Sequence, residues 1–271
     1  MADQYAVFGN PIHHSKSPQI HSAFAQQTAQ DIEYTALLIG LDEFVSRAEA
    51  FFASGGKGFN ITVPFKEQAY QFAQQLSPQA QLAGAVNTLL IDNGVICGHN
   101  TDGLGLVSDL IDNCRVNITG AKVLVLGAGG AVRGCLQPLL DQRPAQITIA
   151  NRTLSKAQQL ASIFKSDITV RGVGYSDVDD SYDLIINGTS ASLNSELPPL
   201  KHSVLAEGAF CYDMMYGAQD TKFISWARHN GCERSSDGLG MLVCQAAEAF
   251  RLWRGVAPAT NEVIHRLRKA L

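Results

Sequence analysis

Short apolar runs separated by turn-forming residues set the rhythm of this chain. Tyr5–Phe8 reads as a first strand, closed by Gly9-Asn10-Pro11, and Tyr34–Leu38 as a second. Phe59–Val63 is a third, stopped by Pro64. Thr88–Ile91 and Val95–Cys97 flank Asp92-Asn93-Gly94, residues that accept the positive φ angles of a two-residue hairpin turn. Helical spacing fills the gaps. Ser17-Pro18 predicts a helix start, with Ser17 as N-cap and Ile20, Ala23 and Phe24 on one face. Asp42 is placed to cap a helix carrying Phe44, Ala48, Phe51 and Phe52, and a third helix is expected from Phe65 to Leu76. Asn100-Thr101-Asp102-Gly103 leads into a helix through Leu106 and Leu110.

From Lys122 onward the alternation becomes strict. Lys122–Leu126 is a strand of uninterrupted apolar character after its first residue, followed at once by Gly127-Ala128-Gly129-Gly130-Ala131 and a helical run, Val132–Leu140. Gln146–Ile149, Ile168–Val170, Leu184–Ile186 and Ala209–Tyr212 are further strands, with a helix from Ser155 to Phe164. Strands alternating with helices imply a parallel, doubly wound sheet. Two helices close the chain, from Gly240 to Trp253 and from Asn261 to Ala270. The fold class expected is α/β. An N-terminal α/β domain covers 1–103 and takes back the C-terminal helices, 240–271; a doubly wound, Rossmann-like domain covers 104–239. The border falls near Gly103, inside a helix.

Composition narrows the function. The 271 residues suit one large or two small domains. A net charge of −4 gives no basic footprint for nucleic acid. No apolar run has the length of a membrane span. The six cysteines, at 97, 114, 135, 211, 232 and 244, have neither metal nor redox spacing, so no metal is expected and the chain reads as a cytoplasmic protein. Its partner is expected to be a small molecule, not a nucleic acid or a membrane, and its state a monomer or a homodimer.

The glycine turn between strand and helix is the context of a dinucleotide site. Gly127 suits the tight turn and Gly129 a close approach of backbone to pyrophosphate. The usual third small residue falls at Val132, so Gly130 and Ala131 are expected to supply the close packing instead. The next strand ends in Asn151-Arg152-Thr153, with Lys156 one turn on and no acid present. An acid there would hold the ribose 2′-hydroxyl of NAD, whereas a guanidinium suits a 2′-phosphate, so the cofactor expected is NADP. Asn187-Gly188-Thr189-Ser190 ends another strand of the same sheet, where Thr189 and Ser190 either touch the cofactor or cap a turn.

Polar constellations also stand out in the first hundred residues. Ser15 and Ser17 flank a helix start; Asn60 and Thr62 point to one side of a strand, with Lys66 just beyond; Asn87 begins a strand; and Asp102 opens a helix. Together these segments resemble the shikimate dehydrogenase family. The stretches GNPIHHSKSPQIH, FNITVPFK, AGAVNT, HNTDGLG, VLGAGGA, ANRT, YDMMYG and DGLGMLVCQAAEAF follow the family's order from residue 8 to about 250. The resemblance implies reversible, NADPH-dependent reduction of 3-dehydroshikimate to shikimate, on the route to aromatic amino acids. It implies that Ser15 and Ser17 bind the substrate carboxylate. Asn60, Thr62, Asn87 and Gln245 would hold its hydroxyls and ring, with Tyr216 nearby. Lys66 and Asp102 would be the catalytic pair. The loop Gly127, Ala128, Gly129, Gly130, Ala131 would hold the pyrophosphate, and Asn151, Arg152, Thr153 and Lys156 the adenosine phosphate. Met214 and Gly238 would lie beside the nicotinamide.

Two positions depart from the family's pattern. Gly188 stands where Ala is common, and Pro78 where some relatives carry an acid near the cofactor. Which of Lys66 and Asp102 moves the proton stays open at this level. A quinate/shikimate dehydrogenase using NAD, a non-catalytic metabolite sensor and a folate dehydrogenase are the competing readings. Arg152 argues against the first, retention of Lys66 and Asp102 against the second, and the Ser15/Asn60/Thr62/Asn87 set, which suits a small polyol acid, against the third.

Overall fold

The computed structural model describes residues 2–164, 166–189 and 197–271. The chain divides into two compact units, Met1–Gly105 with Val243–His265 and Leu106–Leu242 with Arg266–Leu271. The first unit holds strands β1 (Asp3–Gly9), β2 (Ile32–Leu38), β3 (Gly58–Ile61), β4 (Gln75–Leu76), β5 (Thr88–Asp92) and β6 (Val95–His99), in the sheet order β2-β1-β3-β5-β6-β4. It is mixed: β1 runs parallel to β2 and β3, while β5 is antiparallel to both β3 and β6. Asn93 at φ 49° and Gly94 at φ 82° make the β5–β6 turn, the left-handed pair that a tight hairpin demands. Helices α1 (Ser17–Thr28), α2 (Phe44–Ala53), α3 (Lys66–Phe72) and α4 (Pro78–Ala83) cover the sheet. One core is aromatic: Phe8 stacks on Phe59 at 4.1 Å, and Phe44 and Phe65 pack beside them.

The first unit corrects the sequence reading at three helix ends. Ser17 is the first helical residue of α1, not its cap. Lys16 takes that place, and no side chain caps the helix. Asp42 does not cap α2; the flanking residue is Glu43, whose carboxylate accepts from the Gly40 N–H at 3.3 Å instead. The helix expected from Phe65 to Leu76 stops at Phe72. Ala73 turns extended, Gln74 donates to the Ile96 carbonyl, and Gln75–Leu76 joins the sheet beside β6. Ser77 then caps α4, accepting from the Ala80 N–H at 3.1 Å with Pro78 in the first turn.

The second unit holds β7 (Lys122–Leu126), β8 (Gln146–Ala150), β9 (Thr169–Val173), β10 (Tyr182–Asn187), β11 (Leu205–Asp213) and β12 (Arg234–Asp237), ordered β12-β11-β10-β7-β8-β9. Every pairing is parallel, as the strict alternation requires. The chain winds outward from β7 through β8 to β9, then returns to β10 on the other side of β7. That reversal is the point where such sheets open a crevice at their carboxyl edge. Helices α6 (Gly130–Asp141), α7 (Leu154–Ile163) and α8 (Lys222–His229) belong here. The sequence reading missed β12, whose Arg-Ser-Ser-Asp run has no apolar signature, and α8, which is capped by Thr221.

Helices α5 (Asp102–Ser108) and α9 (Leu239–Arg254) each begin in one unit and continue into the other. A π-helical turn, Asp109–Asn113, extends α5. Asp109 is buried and accepts from the Tyr212 hydroxyl and the Asn113 amide, each at 2.7 Å, while burial pushes its carboxyl pKa up. A side chain at Gly240 would collide with that carboxylate. Helix α10 (Asn261–Lys269) ends the fold, and its last residues cluster with the second unit rather than the first.

Candidate active site

Lys66 opens α3 and Asp102 opens α5, both just past strand ends of the first sheet. Lys66 Nζ lies 2.6 Å from Asp102 Oδ2, with side chains 32% and 17% exposed. The other carboxylate oxygen, Oδ1, accepts from Asn87 Nδ2 at 2.8 Å. Asn87 is itself locked. Its Oδ1 accepts from the Thr101 N–H at 3.0 Å and from the Thr88 hydroxyl at 2.9 Å. Asp102 does not cap its own helix; its N–H donates to Asn100 Oδ1 instead. Gln245, on α9, brings its Oε1 to 3.4 Å from the Thr101 hydroxyl and 3.5 Å from Asn87 Nδ2. A Cβ on Gly105 would stand 2.5 Å from the Gln245 nitrogen, so only glycine lets the two helices approach this closely.

Asn60 extends the cluster. Its Nδ2 donates to the Thr88 hydroxyl at 3.0 Å and to the Asn87 carbonyl at 3.2 Å, and its Oδ1 accepts from the Tyr34 hydroxyl at 2.7 Å. Thr62 lies one residue past β3, bonded through its backbone to Phe8. Ser15 and Ser17 stand together at the start of α1, the Ser17 N–H donating to Ser15 Oγ at 3.3 Å. Tyr34 and Thr88 were missed as site residues in the sequence. Asn100 and Thr101 had a signal there, as neighbours of Asp102. Behind Tyr34 lies His21, fully buried and stacked on its ring at 4.2 Å, with neither ring nitrogen hydrogen-bonded. Burial pushes its pKa down to about 3, against a smaller opposing influence of Asn60.

In the second unit the predicted cofactor residues line the carboxyl edge of the sheet. Gly127 has φ +103°, and its N–H donates to the Ala150 carbonyl at 2.8 Å. Gly129 and Gly130 have open space where side chains would stand, in front of the first turn of α6. Free N–H groups and the positive end of a twelve-residue helix face that space. Ala128 is half-buried and Ala131 exposed. The close packing expected of Gly130 and Ala131 is therefore not theirs. Val132, fully buried, fills the gap, and Gly188 at the end of β10 makes the room: a Cβ there would stand 2.4 Å from Val132 Cγ2 and 2.9 Å from Met214 Sδ. The large residue at Val132 and the missing side chain at Gly188 compensate each other.

Asn151 follows β8 and bonds to the Val173 and Thr153 carbonyls; Arg152, Thr153 and Lys156 are exposed beside it. Arg152 is close enough to Tyr175 to oppose the burial that raises its phenol pKa. The adjacent cations, the lack of an acid and the unfilled glycine turn all fit a 2′-phosphorylated dinucleotide. Thr189 donates to Asn187 Oδ1 at 2.7 Å, and Asn187 in turn donates to the buried Asp213. Ser190 lies outside the described residues. Met214 and Gly238 touch: a Cβ on Gly238 would meet the Met214 carbonyl at 2.2 Å. Tyr216, 37% exposed, sits two residues past Met214 in the same unit. Among the described residues no cluster of His, Cys, Asp and Glu suits a metal, and no helix is long and apolar enough to cross a membrane.

Two outcomes test this geometry. Unfolded His21 takes a proton near pH 6.5, whereas folded His21 resists until about pH 3, so stability falls as pH drops through that window. Between pH 7 and pH 5 the loss from this residue is about 2 kcal/mol. Urea unfolding of His21→Phe should show that much less acid destabilisation, and an unchanged pH dependence would disprove the assignment. Gly188→Ala should cost about 1–3 kcal/mol by overpacking, and less when Val132 is also Ala. A double-mutant cycle with additive losses contradicts the compensation.

Residues 7–89 match the family model described as the shikimate dehydrogenase substrate binding domain. Residues 109–195 match shikimate / quinate 5-dehydrogenase, and residues 238–268 the shikimate 5′-dehydrogenase C-terminal domain. A relative from Cellvibrio japonicus (strain Ueda107), named shikimate dehydrogenase (NADP(+)), is 56% identical over 273 residues, covering 100% of this chain and 99% of its own. The crystal structure of an Ael1 enzyme from Pseudomonas putida is 46% identical, with a TM-score of 0.95 and 98% of each chain covered. That of shikimate 5-dehydrogenase from Thermus thermophilus, in complex with NADP(H) and shikimate, is 31% identical, with a TM-score of 0.87, covering 99% of this chain and 100% of that one. With its three matched segments in order and its length fully shared, this chain belongs to the shikimate dehydrogenase family.

Proposed function

We propose that Lys66 and Asp102 carry out the acid–base chemistry of a shikimate dehydrogenase, the reversible NADPH-dependent reduction of 3-dehydroshikimate to shikimate. The observation that carries this is the 2.6 Å Lys66–Asp102 pair, with Asp102 pinned from its other side by Asn87. The first unit is the substrate domain and the second the NADP domain. Ser15 and Ser17 take the substrate carboxylate; Asn60, Thr62, Asn87 and Gln245 hold its hydroxyls and ring. Gly127 to Ala131 receive the pyrophosphate, and Asn151, Arg152, Thr153 and Lys156 the adenosine phosphate. Thr189, Met214 and Gly238 lie towards the nicotinamide. Six scattered cysteines without metal or redox spacing suit a cytoplasmic enzyme, acting as a monomer or a homodimer.

NADPH supplies the hydride that the ketone carbon receives. The chain's task is the oxygen, which gains negative charge as the carbonyl is reduced. Both Asp102 oxygens already accept hydrogen bonds, one from Lys66 and one from Asn87, so Asp102 serves as an anionic acceptor with no proton to give. Lys66 spends one N–H direction on Asp102 and keeps two for substrate. Its Nζ donates the proton that turns the oxyanion into a hydroxyl, and its partial exposure lets solvent restore that proton. In the oxidative direction the neutral amine accepts the proton from the hydroxyl. Asp102 fixes the amine's position and can accept from a substrate hydroxyl.

The test follows NADPH formation by near-ultraviolet absorbance with shikimate, quinate or no substrate, and with NADP or NAD. Lys66→Ala should lower kcat by about 10²–10⁴-fold with little change in KM; near-normal kcat rules Lys66 out as the acid. Asp102→Asn separates the roles, because a loss confined to KM would make Asp102 a substrate ligand only. Arg152→Ala should raise the KM for NADP far more than that for NAD, and equal losses would remove Arg152 from the 2′-phosphate site.

A further inference from the structure

Arg268 lies in the last turn of α10, in the part of that helix that belongs to the second unit. Its guanidinium grips two separate loops. Nη1 donates to Asp237 Oδ2 at 2.9 Å and to the Gly217 carbonyl at 3.0 Å, and Nη2 donates to Asp237 Oδ1. Asp237 ends β12, is 8% exposed, and also accepts from the Leu239 N–H at 3.2 Å. Gly217 lies on the loop that begins at Met214 and runs to α8. Between these two anchor points the loops are sewn together. The Gly238 N–H donates to the Met215 carbonyl at 3.0 Å, Met214 donates to the Asn187 carbonyl at 2.9 Å, and Gly238 lies flat on the Met214 backbone.

We propose that Arg268 is a positioning residue for the nicotinamide end of the cofactor: the C-terminal helix straps Gly217 to Asp237 and so holds Met214 and Gly238 in one arrangement. The proposal rests on the assignment of Met214 and Gly238 to that end. Three reasons favour a strap over a surface ion pair. The grip is two-pronged on Asp237, the geometry that only a guanidinium offers a carboxylate. Asp237 is buried, so removing its partner leaves a carboxylate largely shielded from water and without its charge partner. The same guanidinium bonds a backbone carbonyl of the second loop, so neither loop moves without losing a charged contact. Met214 and Gly238 meet through backbone, where a shift of either displaces the other.

If release of the strap leaves the competent loop arrangement in about one molecule in ten, the apparent Kd for NADPH rises about tenfold. Adenosine 2′,5′-bisphosphate, which reaches only the Arg152 end, should bind Arg268→Ala as it binds the parent protein. Fluorescence or calorimetric titration of the full-length protein reads both ligands, with a thermal melt as control. Arg268→Lys, which keeps the charge and at most part of the grip, should fall between, and it decides the same ratio if Arg268→Ala fails to fold. An NADPH Kd within twofold of the parent overturns the proposal. So do equal losses for both ligands, which would make Arg268 a support of the whole domain. A parent protein that binds neither ligand contradicts the NADP assignment itself, a separate result.

Discussion

Asn87 is 2% exposed, and its side-chain amide is engaged on both its nitrogen and its oxygen. A buried amide in that state cannot rotate without orphaning a donor or an acceptor, at a cost of about 1–3 kcal/mol for each. Its orientation therefore fixes the direction from which Asp102 is held. Asp102 fixes Lys66, and Thr101 carries the constraint on to Gln245. Asn87 sits where the central strand of the mixed sheet begins. Its backbone bonds to Ile61 on one side and His99 on the other. The sheet hydrogen bonds and the polar cluster are thus one continuous network, and the Lys66–Asp102 pair inherits the rigidity of the sheet.

The second unit reaches its purpose by a different route. There the decisive surfaces are backbone: an open glycine turn, a helix end, and loops whose approach depends on missing side chains. Gly188 and Gly238 have no φ requirement of their own; each is small because a neighbour occupies the space a Cβ would take. The Val132–Gly188 pair illustrates how such a surface tolerates change. Close packing between helix and strand needs one small residue at the crossing, and either partner can supply it.

Much of this was legible in the chain. The parallel sheet followed from alternation, the hairpin from Asn93-Gly94, and the open turn after β7 from glycines placed between a strand and a helix. The failures share one cause, which is that local signals were decided by distant partners. Phe65–Leu76 reads as one helix, but Gln74 and Gln75–Leu76 find backbone partners on β6 and leave it. Arg234–Asp237 has no apolar alternation, yet it is a strand because β11 offers an unpaired edge. Ser17 looks like a cap, yet it lies inside the helix because Ser15 already accepts its N–H. Nothing in the sequence signalled that Tyr34 and His21 meet, since their stacking is invisible until β2 and α1 are folded together.

The order of residue types along the chain determined which chemistry was available: a lysine and an aspartate in polar settings, a glycine turn, and an arginine where an acid would select NAD. Those are local properties, set by side-chain chemistry and by the φ angles that short motifs allow. Only the tertiary structure decided which groups meet. It brought Lys66 to Asp102 across 36 residues and Gln245 to Asn87 across 158. It also carried Arg268 back to Asp237 and Gly217. The physical reason is that a hydrogen bond is specified by position and direction within a few tenths of an ångström, and that precision comes from packed strands and helices, not from spacing in the sequence.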